Sequence, residues 1–267
     1  MALDLSKLAG AKLLVVGASS GIGRSVSLGA ARAGADVVVA ARRRPLLAEV
    51  VAEASTGAGL ANALVCDVSD PSQASGLADR AAQLLGGLDV VVYAAGSSRL
   101  APLSQTDWQA WNEVLATNLL GAATVVSSAI AHLAESGKAA ITRNGGLGAA
   151  APPGPTVVLL SSHSVARPWP GLVPYAAAKA ALDAFARGLR DEEPWLRVID
   201  VAVTNTATGF ADGWDPTMAG PAFERWLAGG YLAGRVLSPD EMAEVVLDAL
   251  VDPDGPEDVV VVNEPAG

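Results

Sequence analysis

Cysteine is almost absent from this chain: Cys66 is the only one, so no intrachain disulfide can form. That predicts a reducing, cytoplasmic setting. Aromatic residues are scarce, at 4% against 51% hydrophobic residues overall. The core must therefore be assembled mainly from Ala, Val and Leu. Cations are outnumbered, 18 Lys and Arg against 28 Asp and Glu, and the formal net charge is −10. This argues against nucleic acid or an anionic membrane as the main partner. A run of about 18 apolar residues is missing, which predicts no membrane span. Met1–Gly10 lacks the basic start and long apolar stretch of a secretory signal. No grouping of residues suggests a metal site. The 267 residues suit one α/β sheet domain.

Short apolar runs alternate with helix-like segments. The runs are Lys12–Val16, Asp36–Ala41, Asn62–Cys66, Leu88–Tyr93, Thr156–Leu160, Leu196–Val203 and Val259–Val262. Val and Leu fill them with little alternation, as in strands covered on both faces. Helix patterns start at Gly23, at Pro45, near Pro71 with Asp70 as cap, and at Ser238-Pro239-Asp240-Glu241. Two more span Gln105–Ser136 and Val173–Glu192. The alternation predicts a single Rossmann-type, doubly wound parallel sheet of about seven strands, with no second domain. Gly137–Pro155 reads as a flexible Gly/Ala/Pro-rich loop on the edge away from the strand C-termini. Residues 204–234 emerge on the ligand edge and hold five of the twelve aromatics, Phe210, Trp214, Phe223, Trp226 and Tyr231. They predict a lid over an apolar substrate or, alternatively, a surface helix pinned down by its rings.

After the first strand comes Gly17-Ala-Ser-Ser-Gly21-Ile-Gly23. Gly17 permits a tight turn, Gly21 lets backbone approach a pyrophosphate, and Gly23 lets the next helix pack closely. A helix N-terminus here offers free N–H groups to phosphate. Gly17, Ser19, Ser20, Gly21, Ile22 and Gly23 are thus candidate dinucleotide contacts. The second strand ends in Arg42-Arg43-Arg44, where NAD-binding folds often carry an acid. Three cations before a helix N-terminus repel one another and oppose its dipole. A 2′-phosphate would relieve both effects, so NADP(H) is favoured over NAD(H), with Arg42 the leading contact and Arg43 the second.

Tyr175 and Lys179 lie one helical turn apart, thirteen residues after Ser162. An ammonium beside a phenol favours the phenolate and lowers its pKa from about 10. Such a hydroxyl can exchange a proton with a carbonyl oxygen.

Gly17-x-x-x-Gly21-Ile-Gly23, Asn118 in Thr-Asn-Leu-Leu-Gly, Ser161-Ser162 and Tyr175-Ala-Ala-Ala-Lys179 together resemble the short-chain dehydrogenase/reductases, from Leu8 to about Val262. The resemblance implies that Tyr175 is the general acid/base and that Ser162 binds the substrate oxygen. Lys179 would hold the nicotinamide ribose and tune Tyr175, and Asn118 would hold a relay water. It also implies cofactor contacts at Asp67, Val68, Ala95, Gly96 and Thr208. A homodimer or homotetramer is implied, built on the long fourth helix and the Tyr175 helix; Trp108 and Trp111, on one helix face, are core or subunit contacts. Two departures stand out: Tyr93-Ala94-Ala95-Gly96 replaces Asn-Asn-Ala-Gly, and Val203-Thr204 replaces Pro-Gly. The first removes amides that brace the sheet centre; the second alters backbone beside the nicotinamide.

Of the two histidines, His132 reads as structural, and His163 should point away from Ser162 if the strand is still extended. Two rival functions remain. Gly17-Ala-Ser19-Ser-Gly21 also fits a hydrolase nucleophile elbow, although no histidine occurs in the C-terminal third. A non-catalytic NADP(H)-binding sensor or scaffold is the other. The favoured reading is hydride transfer between nicotinamide and a small-molecule carbonyl or alcohol. The aromatic lid and Pro168-Trp169-Pro170 suggest an apolar, medium-sized one, such as a cyclic ketone, steroid-like alcohol or acyl chain.

Overall fold

The computed structural model describes residues 4–143, 153–232 and 235–261. Seven strands, β1 (Lys12–Val16), β2 (Asp36–Ala41), β3 (Ala61–Val65), β4 (Val90–Tyr93), β5 (Thr156–Ser162), β6 (Arg197–Val203) and β7 (Asp258–Val260), form one parallel sheet. Their order is β3-β2-β1-β4-β5-β6-β7. The order reverses direction between β1 and β4, which opens a crevice at their C-terminal ends. The expected end of the last strand, Val262, lies outside the described residues.

Along β1, Leu13 and Val15 face one core while Leu14 and Val16 face the other, all four fully or almost fully buried. Both faces need apolar side chains, which is why the strands do not alternate with polar residues. Helices α1 (Gly21–Arg32) and α2 (Arg44–Ala54) pack on the first face. The second is covered by α3 (Pro71–Ser75), α4 (Leu77–Leu85), α6 (Gly121–Arg143) and α7 (Val173–Glu192). Before α6 come α5 (Trp108–Leu115) and a π-helical turn at Ala116–Leu120. After β6 come α8 (Pro216–Ala228) and α9 (Pro239–Val251), the latter returning to the first face. Asp70 caps α3 through the Ser72 N–H at 2.9 Å, and Ser238 with Glu241 forms a reciprocal capping box on α9.

Two expectations need correction. Gly137 does not begin a loop: α6 continues through it to Arg143, and 144–152 lie outside the described residues. A Cβ at Gly137 would lie 2.9 Å from Pro155 Cγ, so this glycine serves close packing, not a break. The second is only the premise that the chain has no apolar stretch long enough to span a bilayer. Trp108–Ala139 is one helical stretch long and apolar enough to cross a bilayer. Its stripe of Val114, Ala122, Val125, Val126, Ala129 and Leu133 is buried in the protein. That stripe is a core helix face.

Candidate active site

The glycine turn sits at the reversal of strand order. Gly17 has φ +85°, and a Cβ on it would lie 2.5 Å from the Ala95 nitrogen. A Cβ on Gly23 would lie 2.6 Å from the Gly17 carbonyl oxygen. Turn, helix start and the exit of β4 are therefore pressed together with no room for side chains. The first free N–H groups of α1 face the crevice.

Arg43 folds back over this turn, donating to Ser19 Oγ at 2.9 Å and Ser20 Oγ at 2.7 Å. Among the described residues it has no carboxylate partner. Arg42 stands on the rim, 70% exposed, with Nη1 4.0 Å from Asp67 Oδ2. Arg43, expected to be second, is thus the arginine nearer the glycine turn. Ser19 faces a guanidinium and no base, which removes the support for a hydrolase elbow.

At the other end, Ser162 closes β5 and its hydroxyl accepts from the Ser164 N–H at 3.1 Å. Tyr175 and Lys179 come from successive turns of α7, as their spacing requires. Lys179 is 4% exposed and donates to the Leu160 carbonyl at 2.6 Å. Its Nζ lies 5.8 Å from the centre of the Tyr175 ring. Burial pushes the Tyr175 phenol up to about 12, opposed by the nearby Ser162 hydroxyl. Burial draws Lys179 down to about 8, opposed by Asp200. The expected lowering of the tyrosine by the lysine is therefore not what the protein alone produces. Desolvation of the phenolate is the larger effect in the protein by itself.

Asn118 is fully buried in the π-helical turn, a distortion common at functional sites. Its Nδ2 donates to the carbonyls of Ser97 and Val114, both at 2.8 Å. Its Oδ1 has no hydrogen-bond partner among the described residues. A Cβ on Gly96 would lie 3.1 Å from that oxygen and 3.9 Å from Lys179 Nζ, so Gly96 marks where the two side chains approach.

One cavity of about 640 Å³ joins the two ends. It is bordered by Gly17, Ser19, Ser20, Gly21, Ile22, Gly23, Arg42, Arg43, Asp67, Val68, Ala95, Gly96, Ser162, Tyr175, Lys179 and Thr208. Asn118 lies behind its wall, beside the bordering Thr117. His163 also borders it, contrary to expectation, because the chain turns into a 3-10 helix directly after Ser162. Burial lowers its pKa, against a hydrogen bond to the Val261 carbonyl. His132 is structural: Nε2 meets Asp79 Oδ1 at 2.6 Å and ties α6 to α4.

Beyond Tyr175 the cavity becomes aromatic. Tyr175 and Phe210 have centroids 4.8 Å apart, Phe210 and Trp214 5.4 Å, Trp214 and Trp226 5.7 Å, and Trp226 and Trp169 4.9 Å. Trp214 Nε1 donates to Ser98 Oγ, and Trp226 Nε1 to the Pro170 carbonyl, each at 3.0 Å. Residues 204–232 are thus both pinned by rings and part of the wall; 233 and 234 lie outside the described residues. Trp169, in the loop before α7, joins this cluster from outside the predicted segment.

Sequence reasoning missed the function of Tyr93. Where the family's amide brace is absent, the fully buried Tyr93 hydroxyl donates to the Thr117 carbonyl at 2.6 Å. A different donor from the same position ties the sheet centre to the Asn118 turn. Val203-Thr204 is accommodated without strain, since no described non-glycine residue has positive φ.

The short chain dehydrogenase family model matches residues 11–219, and the chain belongs to that family of oxidoreductases acting on CH–OH and C=O groups. It is 31% identical to an oxidoreductase of Methylorubrum extorquens over 244 residues, covering 91% of each protein. It is 30% identical to a glycine betaine reductase of Emericella nidulans, covering 92% of this chain but only 18% of that much longer protein. A short chain dehydrogenase from Burkholderia cenocepacia, solved in complex with NADP, is 25% identical with a TM-score of 0.76, covering 96% of this chain and 97% of that one.

Proposed function

We propose that this oxidoreductase uses NADP(H) in preference to NAD(H) and acts on an apolar carbonyl or alcohol of medium size, such as a cyclic ketone, steroid-like alcohol or acyl chain. The observation that carries the reading is the single cavity running from an arginine-covered glycine turn to Ser162 and Tyr175. The fit to a dinucleotide rests on that turn, where no Cβ can stand, and on Arg43, which meets only hydroxyls. Gly17 to Gly23 would hold the pyrophosphate, and Arg43 and Arg42 the 2′-phosphate. Asp67 and Val68 would hold the adenine, with Ala95, Gly96, Lys179 and Thr208 at the nicotinamide end. When bound, the cofactor supplies or accepts the hydride.

The protein's own part is proton transfer and orientation. Tyr175, protonated by virtue of its burial, donates to the substrate oxygen during reduction. Ser162 hydrogen-bonds the same oxygen. Lys179 fixes a positive charge beside the phenol, so its anion is stabilised as it forms. Asn118 shapes the turn on which a relay water would rest. The rings from Phe210 to Trp169 offer an apolar face to the rest of the substrate.

The test is oxidation of NADPH and NADH against a panel of cyclic, steroidal and open-chain ketones. Faster turnover with NADPH, and a rise in its KM in Arg42→Ala and Arg43→Ala, is the expected outcome. Equal use of both cofactors removes the preference. A second copy is proposed to pack on α5–α6 and α7, where Trp108 is 79% and Leu120 59% exposed. Light scattering reads the resulting mass.

A further inference from the structure

The interior of β6 contains one ionisable residue, Asp200, set between Ile199 and Val201. It lies opposite Leu159 of β5 and is 6% exposed. Alternation places it with Val198 on the face covered by Leu182 and Ala186 of α7. A carboxylate buried there is costly unless a charge or hydrogen bonds offset it.

Its surroundings answer that need only in part. Asp183 on α7 lies within proton-sharing reach, Ser161 on β5 offers a hydroxyl, and Asp258 on β7 adds negative charge. Arg187 holds Asp183 at 3.3 Å and Arg190 holds Asp258 at 2.8 Å, so both neighbouring acids already have cations. Asp200 Oδ1 has no hydrogen-bond partner among the described residues. The positive group left to it among the described residues is Lys179, one turn before Asp183. The lysine Nζ is fixed at the Leu160 carbonyl, next to the Leu159 that pairs with Asp200, and it feels the Asp200 charge from beyond direct ion-pair distance. For its part, Lys179 is anchored by a neutral carbonyl, Leu160, which cannot balance its charge.

We propose that Asp200 is the counter-charge of Lys179, a positioning residue that keeps this ammonium protonated in a water-poor site, while Asp183 shares the acid's proton. The inference rests on the role proposed for Lys179 only for its effect on turnover. Burial, then Asp183 and Asp258, hold the Asp200 carboxyl up at about 6, and burial holds Lys179 down at about 8. Between these values both groups are charged. As pH falls through the lower value, Asp200 takes up a proton and the lysine loses its partner. As pH rises through the upper one, the lysine itself is neutralised.

The chain has four lysines, Lys7, Lys12, Lys138 and Lys179, so lysine side chains labelled with 13C give few resonances to follow. Lys179→Arg assigns the one of interest. Its titration is compared in the unaltered protein, Asp200→Asn and Asp183→Asn, with no substrate or cofactor present. The expected result for Asp200→Asn is a midpoint at least one unit lower, a tenfold loss of proton affinity. The alkaline limb of turnover should move with it. In Asp183→Asn the acid-side inflection of the same resonance moves to lower pH. An unchanged Lys179 midpoint in folded Asp200→Asn overturns the proposal. If circular dichroism shows that variant unfolded, an unmoved inflection in Asp183→Asn does so. Because the resonance is read without turnover, a missing activity would count against the proposed function and not against this pairing.

Discussion

The two ends of the cavity are built from opposite materials. The nucleotide end is backbone, glycine and small hydroxyls, with two arginines over it. The substrate end is a relay of rings drawn from 169, 175, 210, 214 and 226. At the first end, atoms are so close that a methyl group is excluded. At the second, side chains fill space against one another and could be exchanged for others of similar volume. The first arrangement suits a ligand common to many enzymes; the second suits a substrate particular to this one.

Substitutions can separate the two ends. Gly17→Val adds a branched side chain where even a Cβ would lie 2.5 Å from the Ala95 nitrogen. With strain at positive φ added, NADPH affinity should fall by roughly 100-fold, about 3 kcal/mol. Fluorescence titration reads this, and near-native binding would break the contrast. Trp226→Ala empties a wholly buried site in the ring cluster. It should cost about 3–5 kcal/mol of stability in denaturant unfolding, with NADPH affinity little changed in the folded fraction. Phe210→Ala removes a ring 4.8 Å from Tyr175. Its effect should be roughly 2- to 12-fold on the KM of an apolar ketone, about 0.5–1.5 kcal/mol, and none on that of NADPH.

A pH profile sharpens the comparison at the junction of the two ends. Lys179 is held at about 8, so its positive charge is present below that value and lost as pH rises through it. Tyr175, held at about 12, keeps its proton throughout this range. Reduction should therefore decline above about pH 8 with one ionisation, and Lys179→Arg, whose charge does not titrate there, should flatten that limb.

The same difference explains what could be read from the sequence. The sheet was legible because its central strands are buried on both faces and so appear as unbroken apolar runs. The glycine turn and the Ser162, Tyr175 and Lys179 spacing were legible because strand and helix geometry turns sequence distance into position. Arg43 was harder to rank: whether it or Arg42 covers the turn depends on side-chain direction, which spacing does not encode. The pull of Lys179 on Tyr175 could be read as a pairwise rule, but the opposing desolvation depends on the packing around α7, which spacing does not encode. The partners of Tyr93 and Trp169, the Thr117 carbonyl and Trp226, were not legible because they are distant in sequence. Asp200 stands in the sequence as an acid inside an apolar strand, but what it meets depends on how α7 lies across the sheet.

The most direct test of the whole account is Tyr175→Phe, assayed for NADPH binding and ketone reduction in the same preparation. Loss of the buried proton donor should lower kcat by roughly 100- to 10,000-fold while leaving the NADPH dissociation constant within about threefold of the unaltered protein. Unchanged kcat with intact binding would contradict it.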